Sequence, residues 1–232
     1  LRKALNLYAN LRPITVYREL REISPLKLNG EEDLEILVVR ELSSGDYFGE
    51  PKKLTEEYGM DTVIYRREEV ARIAELAFQI ARRRKKVLTC VDKANVLRSS
   101  MLWRSVVKEM EQKFSDVSVR YMYVDNAAMQ IVLNPFQFDV ILTTNMFGDI
   151  LSDETAALCN SLGMLPSASL GEKVHLYEPA GGSAPDIAGK GIANPTATIL
   201  STAMMLEWLG YEEASKTIWA SVEKVLSSNI KT

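Results

Sequence analysis

An α/β fold built on a parallel, doubly wound sheet is predicted by three observations. Short continuous runs rich in β-branched residues recur: LEILVVRE at 34–41, the stretches 86–91 and 117–124, and FDVILTT at 138–144. Such runs read as buried strands. Segments of helical length separate them, as a parallel crossover requires. Polar residues fall repeatedly at or just beyond the strand ends: Arg40, Lys93, Asp125 and Asp149. In open parallel sheets that is where ligands bind, so these four are expected to converge.

Taken in order, residues 1–10 place Leu1, Leu5 and Tyr8 on one helical face, and Pro13 is expected to stop that helix. Residues 34–41 follow as a core strand. From Ser43 to Arg67 the periodicity breaks down, which predicts either an extended hairpin or arm whose Phe48, Val63, Ile64 and Tyr65 are exposed and suit a partner subunit, or a locally packed hairpin. Residues 68–84 form an amphipathic helix with Val70, Ile73, Ala77, Ile80 and Ala81 on one face. Its basic end, Arg82 to Lys86, matches the helix dipole and requires no ligand. A strand to Val91, a helix over 99–114, a strand over 117–124 and a short helix over 126–134 lead to the strand at 138–144. Gly148 with Asp149 and Asp153 then reads as the turn into a helix. Beyond it the chain passes GMLPSASLG (163–171) into the loop EPAGGSAPD (178–186), and two helices close the sequence, Asn194 to Leu206 and Glu212 to Leu226.

The 232 residues are 47% hydrophobic and 25% charged with a net charge of -3, enough apolar material for one large or two modest domains. Interspersed charge argues against nucleic acid as the main partner and supplies no polybasic membrane patch. No apolar run reaches the length of a membrane span. Cys90 and Cys159 lie in apolar stretches and read as buried free thiols in a reducing compartment. His175, the one histidine, precedes a probable strand without an acidic or thiol partner and reads as structural.

Asp149 and Asp153 stand one helical turn apart. Like charges at that spacing repel by roughly 0.2–0.5 kcal/mol, so the pair reads either as a cation site or as a solvated helix start. With oxygen ligands alone, the cation is a hard one, magnesium or manganese. Arg2 and Arg12 bracket the first element, and paired guanidiniums suit planar carboxylates. The glycine pair Gly181-Gly182 with Ser183 lets backbone approach a ligand, although neither the GxGxxG fingerprint nor a Walker loop is present.

Six stretches in order, LRKALNLYANLRP (1–13), VRELSSGDYFGEP (39–51), VDKANV (91–96), YVDNAAMQ (123–130), NMFGDILSD (145–153) and EPAGGSAPDIAGKGIANP (178–195), resemble the isocitrate/isopropylmalate β-decarboxylating dehydrogenases, with GMLPSASLG nearer the leucine-pathway branch. The resemblance implies a two-domain fold with a dimerising arm at about 43–67. Residues 1–7 and 160–232 would belong to the cofactor-binding domain, and 8–159 to the dimerisation, substrate and metal domain. It implies NAD-dependent oxidative decarboxylation of 3-isopropylmalate to 2-oxoisocaproate in leucine biosynthesis, or of isocitrate, homoisocitrate or tartrate; an inactive dimerising fragment is the alternative of another class.

By the same resemblance Arg2, Arg12 and Arg40 clamp the substrate carboxylate, and Asp149 and Asp153 hold Mg2+ or Mn2+. Asp125, which also meets the substrate, comes from the other subunit of a homodimer. Lys93, again across the dimer, is the general base, and Tyr47 the acid. Glu178, Gly181, Gly182, Ser183, Ala184, Asp186 and Asn194 line the cofactor, with Asp186 at the adenosine ribose. A carboxylate there favours NAD over NADP, because at about 4 Å and an effective dielectric near 20 a charge pair is worth roughly 4 kcal/mol. Many family members carry histidine where this chain has Gly181, which removes an adenine contact. The family also has a substantial portion ahead of the position of Leu1, so the cofactor domain is expected to be incomplete, with the helices after Asn194 baring apolar surface. A cytoplasmic enzyme is implied, with room for a targeting segment before Leu1.

Overall fold

The computed structural model describes residues 1–25, 34–158 and 162–228. Nine strands are found among them: β1 (Leu7–Val16), β2 (Leu34–Glu41), β3 (Lys53–Leu54), β4 (Gly59–Met60), β5 (Val87–Asp92), β6 (Ser118–Tyr123), β7 (Val140–Thr143), β8 (Pro166–Gly171) and β9 (His175–Pro179). Six helices accompany them: α1 (Arg67–Arg83), α2 (Arg98–Glu111), α3 (Val124–Leu133), α4 (Asn145–Ala157), α5 (Thr196–Trp208) and α6 (Glu212–Ser227).

Seven strands form one sheet in the order β6-β5-β7-β2-β1-β8-β9, and β3 pairs with β4 in a separate hairpin. The expected parallel sheet is present from β6 through β2, and from β1 onward the pairing is antiparallel. The alternation of strand and helix that signals a crossover is confined to residues 34–158; β8 and β9 are joined by a tight turn, which imposes an antiparallel pair.

Period-two alternation sorts the side chains of the sheet onto two faces. Leu37 and Val39 pack with Val70, Ile73 and Phe78 of α1 and Trp103 and Val107 of α2, whereas Ile36 and Val38 pack with Ile131 of α3 and Leu151 of α4. Helices therefore cover both faces. A smaller cluster joins Leu200 of α5 and Val222 of α6 to Tyr17 and Met164.

Three sequence expectations fail, each for a local reason. Residues 1–6 form turns rather than a helix, and Asn6, in the left-handed region at φ 51°, redirects the chain into β1. Pro13 sits inside that strand instead of ending it. Its missing N–H is tolerated because β8 pairs with β1 only as far as Leu11, leaving the strand single-sided at Pro13. The stretch 163–171, to which the sequence assigned no element, holds strand β8 of small buried residues. Tyr65 is buried at 6% exposure, edge-on to Trp103 with centroids 5.4 Å apart, and so unavailable to a partner; Val63 and Ile64 are exposed as expected and Phe48 is half-buried. Cys90 is a fully buried free thiol. Cys159 lies outside the described residues. Among the described residues no helix is long and apolar enough to cross a membrane.

Candidate active site

β7 delivers the chain directly into α4 at Asn145, and three residues of helix pass before Gly148. Gly148 is thus inside the helix and not the turn the sequence suggested. A glycine is required there because a Cβ would stand 2.5 Å from Cγ and 2.7 Å from Cβ of Arg40 on the neighbouring strand β2. The close approach of α4 to β2 brings Asp149 onto Arg40.

Arg40 is fully buried, and its Nη1 donates to Oδ1 of Asp149. Arg12, from β1, reaches the same helix: Nη1 donates to Oδ1 of Asp153 at 2.9 Å and to Ser152 Oγ at 2.7 Å, and Nη2 stands 3.5 Å from Oδ1 of Asp149. Tyr47, from the short 3-10 turn after β2, donates its hydroxyl to Oδ2 of Asp149 at 2.5 Å, and its ring lies 5.2 Å from the Arg40 guanidinium. Burial pushes the Asp149 carboxyl up, but the Tyr47 hydroxyl and the charges of Arg40, Arg12 and Arg2 outweigh it and hold the group below the usual carboxylate range. Tyr47 is shifted the other way: its bond to the Asp149 carboxylate, then partial burial, raise the phenol. Desolvation lowers the Arg40 guanidinium, and Asp149 opposes that shift.

Arg2 lies in the turn ahead of β1. With Leu1, Lys3, Phe48, Leu176 and Glu178 it lines an open cleft of about 390 Å³, and its charge bears on both Arg40 and Asp149. The three arginines singled out in the sequence therefore surround one carboxylate.

The two α4 aspartates are gathered on a single guanidinium, that of Arg12, which stands where a shared cation is expected. Among the described residues no group of three metal-ligating side chains occurs.

Asp125 does not join this group. Because β5 and β6 are parallel neighbours with Asp92 beside Tyr123, the residues that follow them emerge side by side: Lys93 after β5, and Asp125 in the first turn of α3. Lys93 Nζ and Asp125 Oδ1 pair at 2.7 Å, which lowers the Asp125 carboxyl, although that side chain is 67% exposed. Behind them Asp92, fully buried, accepts two bonds from Arg104 at 2.7 and 2.9 Å. Of the four polar strand-end residues expected to converge, Arg40 and Asp149 meet in one cluster and Lys93 and Asp125 in another. Among the described residues no hydrogen bond or ion pair joins the two.

The segment after β9 carries the remaining candidates. Glu178 borders the cleft that Arg2 lines. Gly182, Ser183, Ala184 and Asp186 are exposed and Gly181 half-exposed; Ala184 takes φ +42°, and a Cβ at Gly182 would meet nothing within 4 Å. Asn194 accepts the Thr196 N–H at 3.0 Å, so its oxygen caps the start of α5. His175 is structural, as expected: Nε2 accepts from Trp208 Nε1 at 3.0 Å, and burial lowers its pKa.

Sequence reading missed two buried amides beneath the arginines. Asn10 Oδ1 accepts from Arg12 Nε at 2.8 Å, and Asn145 Oδ1 accepts from Arg40 Nη2 at 2.8 Å and Nε at 3.2 Å. The available signal was an asparagine, a residue depleted in strands, placed mid-strand at position 10.

The description "Isocitrate/isopropylmalate dehydrogenase" matches residues 1–232 in full. The chain belongs to that family. Within it, a Thermotoga maritima protein named 3-isopropylmalate dehydrogenase is 61% identical over 234 residues, taking in all of this chain and 66% of that protein, and a Sulfurimonas denitrificans protein of the same name is 53% identical, taking in 65% of its length. This chain thus spans about two thirds of those relatives. Among solved structures, isocitrate dehydrogenase from Methylococcus capsulatus superimposes with a TM-score of 0.89 at 38% identity, covering 98% of this chain and 67% of that one. The TT0538 protein from Thermus thermophilus gives 0.90 at 34% identity, covering 98% and 46%. The isocitrate/isopropylmalate dehydrogenase fold therefore extends over essentially all of this chain.

Proposed function

We propose that this protein, at its natural length, is an NAD- and divalent-metal-dependent 3-isopropylmalate dehydrogenase of leucine biosynthesis, acting in the cytoplasm as a homodimer with shared active sites. The observation that carries the proposal is the meeting of Arg12 and Arg40 with Asp149, Asp153 and Tyr47 at one place. Guanidiniums that grip carboxylates in a fork suit a dicarboxylic 2-hydroxy acid.

Arg2, Arg12 and Arg40 bind and orient the carboxylates. Asp149 and Asp153 hold Mg2+ or Mn2+, together with Asp125 of a second copy. That ion, when bound, supplies Lewis acidity at the substrate hydroxyl and its adjoining carboxylate. Lys93, freed from Asp125, removes the hydroxyl proton. Glu178, Gly181 to Ala184, Asp186 and Asn194 would hold NAD, which would supply the hydride acceptor. After carbon dioxide leaves, Tyr47 returns a proton to the carbon, and its raised pKa keeps that proton in place at neutral pH. Residues 1–7 and 160–232 serve the cofactor domain and 8–159 the dimerising domain, with the exposed Val63 and Ile64 of the arm meeting the partner.

Formation of NADH is followed with 3-isopropylmalate and separately with isocitrate, each with magnesium and with chelator. Metal-dependent turnover of isopropylmalate alone is expected. Turnover of isocitrate in its place assigns the other branch of the family, and no turnover with either overturns the proposal.

A further inference from the structure

We infer that Asn10 is a positioning residue for the substrate carboxylate, acting through Arg12; this rests on the reading of Arg12 as a carboxylate clamp. Asn10 lies in β1 between its two partner strands, opposite Arg40 of β2 and Ser169 of β8, and is 1% exposed. Its Nδ2 donates to Ser167 Oγ at 2.8 Å, to Ser169 Oγ at 3.1 Å and to the Ala168 carbonyl at 3.3 Å. Serine hydroxyls accept or donate with equal ease, so they do not fix which end of the amide faces them. The Ala168 carbonyl does, because it only accepts, and Arg12 Nε does from the other side, because it only donates. Reversing the amide would set N–H against N–H at 2.8 Å and oxygen against oxygen. The carbonyl oxygen is thus locked toward Arg12.

The bond is made to Nε, leaving both Nη groups for other partners. Here they serve Ser152, Asp153 and Asp149. When those aspartates hold a metal, the guanidinium needs a new acceptor, and a fork pinned at Nε offers its Nη edge to a carboxylate without losing its plane. Arg40 is pinned likewise at Nε and Nη2 by Asn145, whose Nδ2 is fixed on the Ser44 carbonyl at 3.0 Å. The two clamp arginines are therefore held by two buried amides, each anchored to a different part of the fold.

The test compares Asn10→Leu, which retains the shape and loses the acceptor, with Asn10→Asp, which retains an acceptor for Arg12; Ser167 and Ser169 turn to donate, and its second carboxyl oxygen bears a proton where it faces the Ala168 carbonyl. Binding of 3-isopropylmalate with magnesium is measured by calorimetry, and kcat separately. A hydrogen bond to a charged group implies that Asn10→Leu weakens binding by about 10- to 100-fold with kcat at saturation near the parent value. Asn10→Asp restores most of the affinity. A folded Leu variant with parental affinity overturns the inference, as do Leu and Asp variants weakened alike. Should the Leu variant fail to fold, Asn10→Ala takes its place, removing the acceptor without adding bulk against β8; a loss of affinity with kcat retained supports the inference and parental affinity overturns it. A parent protein that binds neither isopropylmalate nor isocitrate overturns the functional reading beneath it, and is distinguished by that result alone.

Discussion

The two charged clusters are built on opposite plans. Around Asp149 both arginines are anchored: Arg40 is buried and pinned by Asn145, Arg12 is pinned by Asn10, and α4 lies against β2 through Gly148. Around Lys93 the support is equally firm behind, in the buried Asp92–Arg104 pair, but the working end is open, with Asp125 turned to solvent. A closed cluster satisfies its charges within one chain, whereas an open one presents a charge pair for something outside it. On the proposal of shared sites, that something is a second copy. The largest expected effect follows from it. Lys93→Ala and Asp149→Asn are each expected to abolish turnover, and unfolding and refolding them together is expected to restore about a quarter of parental activity, since about half the dimers are mixed and each mixed dimer has one intact site. No recovery on mixing, with dimers present, would place both residues in the same site of the same chain.

Stability separates the clusters next. Asp149→Ala leaves the buried Arg40 guanidinium with no carboxylate partner, facing the neutral Asn145 amide oxygen and the Tyr47 ring. Loss of one partner of a fully enclosed pair costs about 3–5 kcal/mol; Asp149 is 35% exposed, so about 2–4 kcal/mol is expected in urea unfolding. Asp125→Ala is expected to leave the unfolding midpoint unchanged. Gly148→Ala tests the contact that builds the closed cluster. Alanine gains about 0.8–1 kcal/mol of helix propensity, but its methyl meets the buried stem of Arg40, which cannot move aside, and overpacking costs about 1–3 kcal/mol. A net loss of up to about 2 kcal/mol, with weaker substrate binding, is expected. A stabilised Gly148→Ala protein would show that Arg40 has room to shift.

The open cluster was the more legible in sequence, and the reason is geometric. Lys93 and Asp125 follow adjacent parallel strands whose apolar runs are plain, so their proximity follows from pairing β5 with β6. The closed cluster needed a contact that period does not encode. Asp149 and Asp153 announce themselves by their spacing, but Arg12 stands in a strand disguised by a helical spacing at Leu1, Leu5 and Tyr8 and by Pro13. Strand β8, which anchors Asn10, is made of Pro, Ser, Ala, Leu and Gly and carries no strand signature of composition. Its strand state is imposed by β1 on one side and β9 on the other. Residue types that bind were readable from chemistry and from family resemblance; the amides that aim them were not, because a satisfied buried asparagine has the same letter as a solvated one.

The smallest expected effect is a difference in how salt acts on two carboxyls. Both Asp149 and Asp125 are held below the ordinary carboxylate range. For a lowered carboxyl, the folded state binds fewer protons than the unfolded one, so its stabilisation is present above the unfolded value near 3.9 and is lost as pH falls through the folded one. The causes differ. Asp125 is lowered mainly by its bond to Lys93 on an exposed surface, where ions at about 1 M screen charge over about 3 Å. Asp149 is lowered by Tyr47, Arg40 and Arg12 against the opposing pull of burial, with the fully buried Arg40 guanidinium less open to screening than the exposed Lys93 pair. Carboxyl titrations followed by carbon NMR in the metal-free protein, in dilute buffer and again in 1 M salt, are expected to show Asp125 returning toward its ordinary value while Asp149 stays low. Equal relaxation of both would mean that the arginine cluster opens to solvent, and that its closure in one chain is no different in kind from the lysine pair.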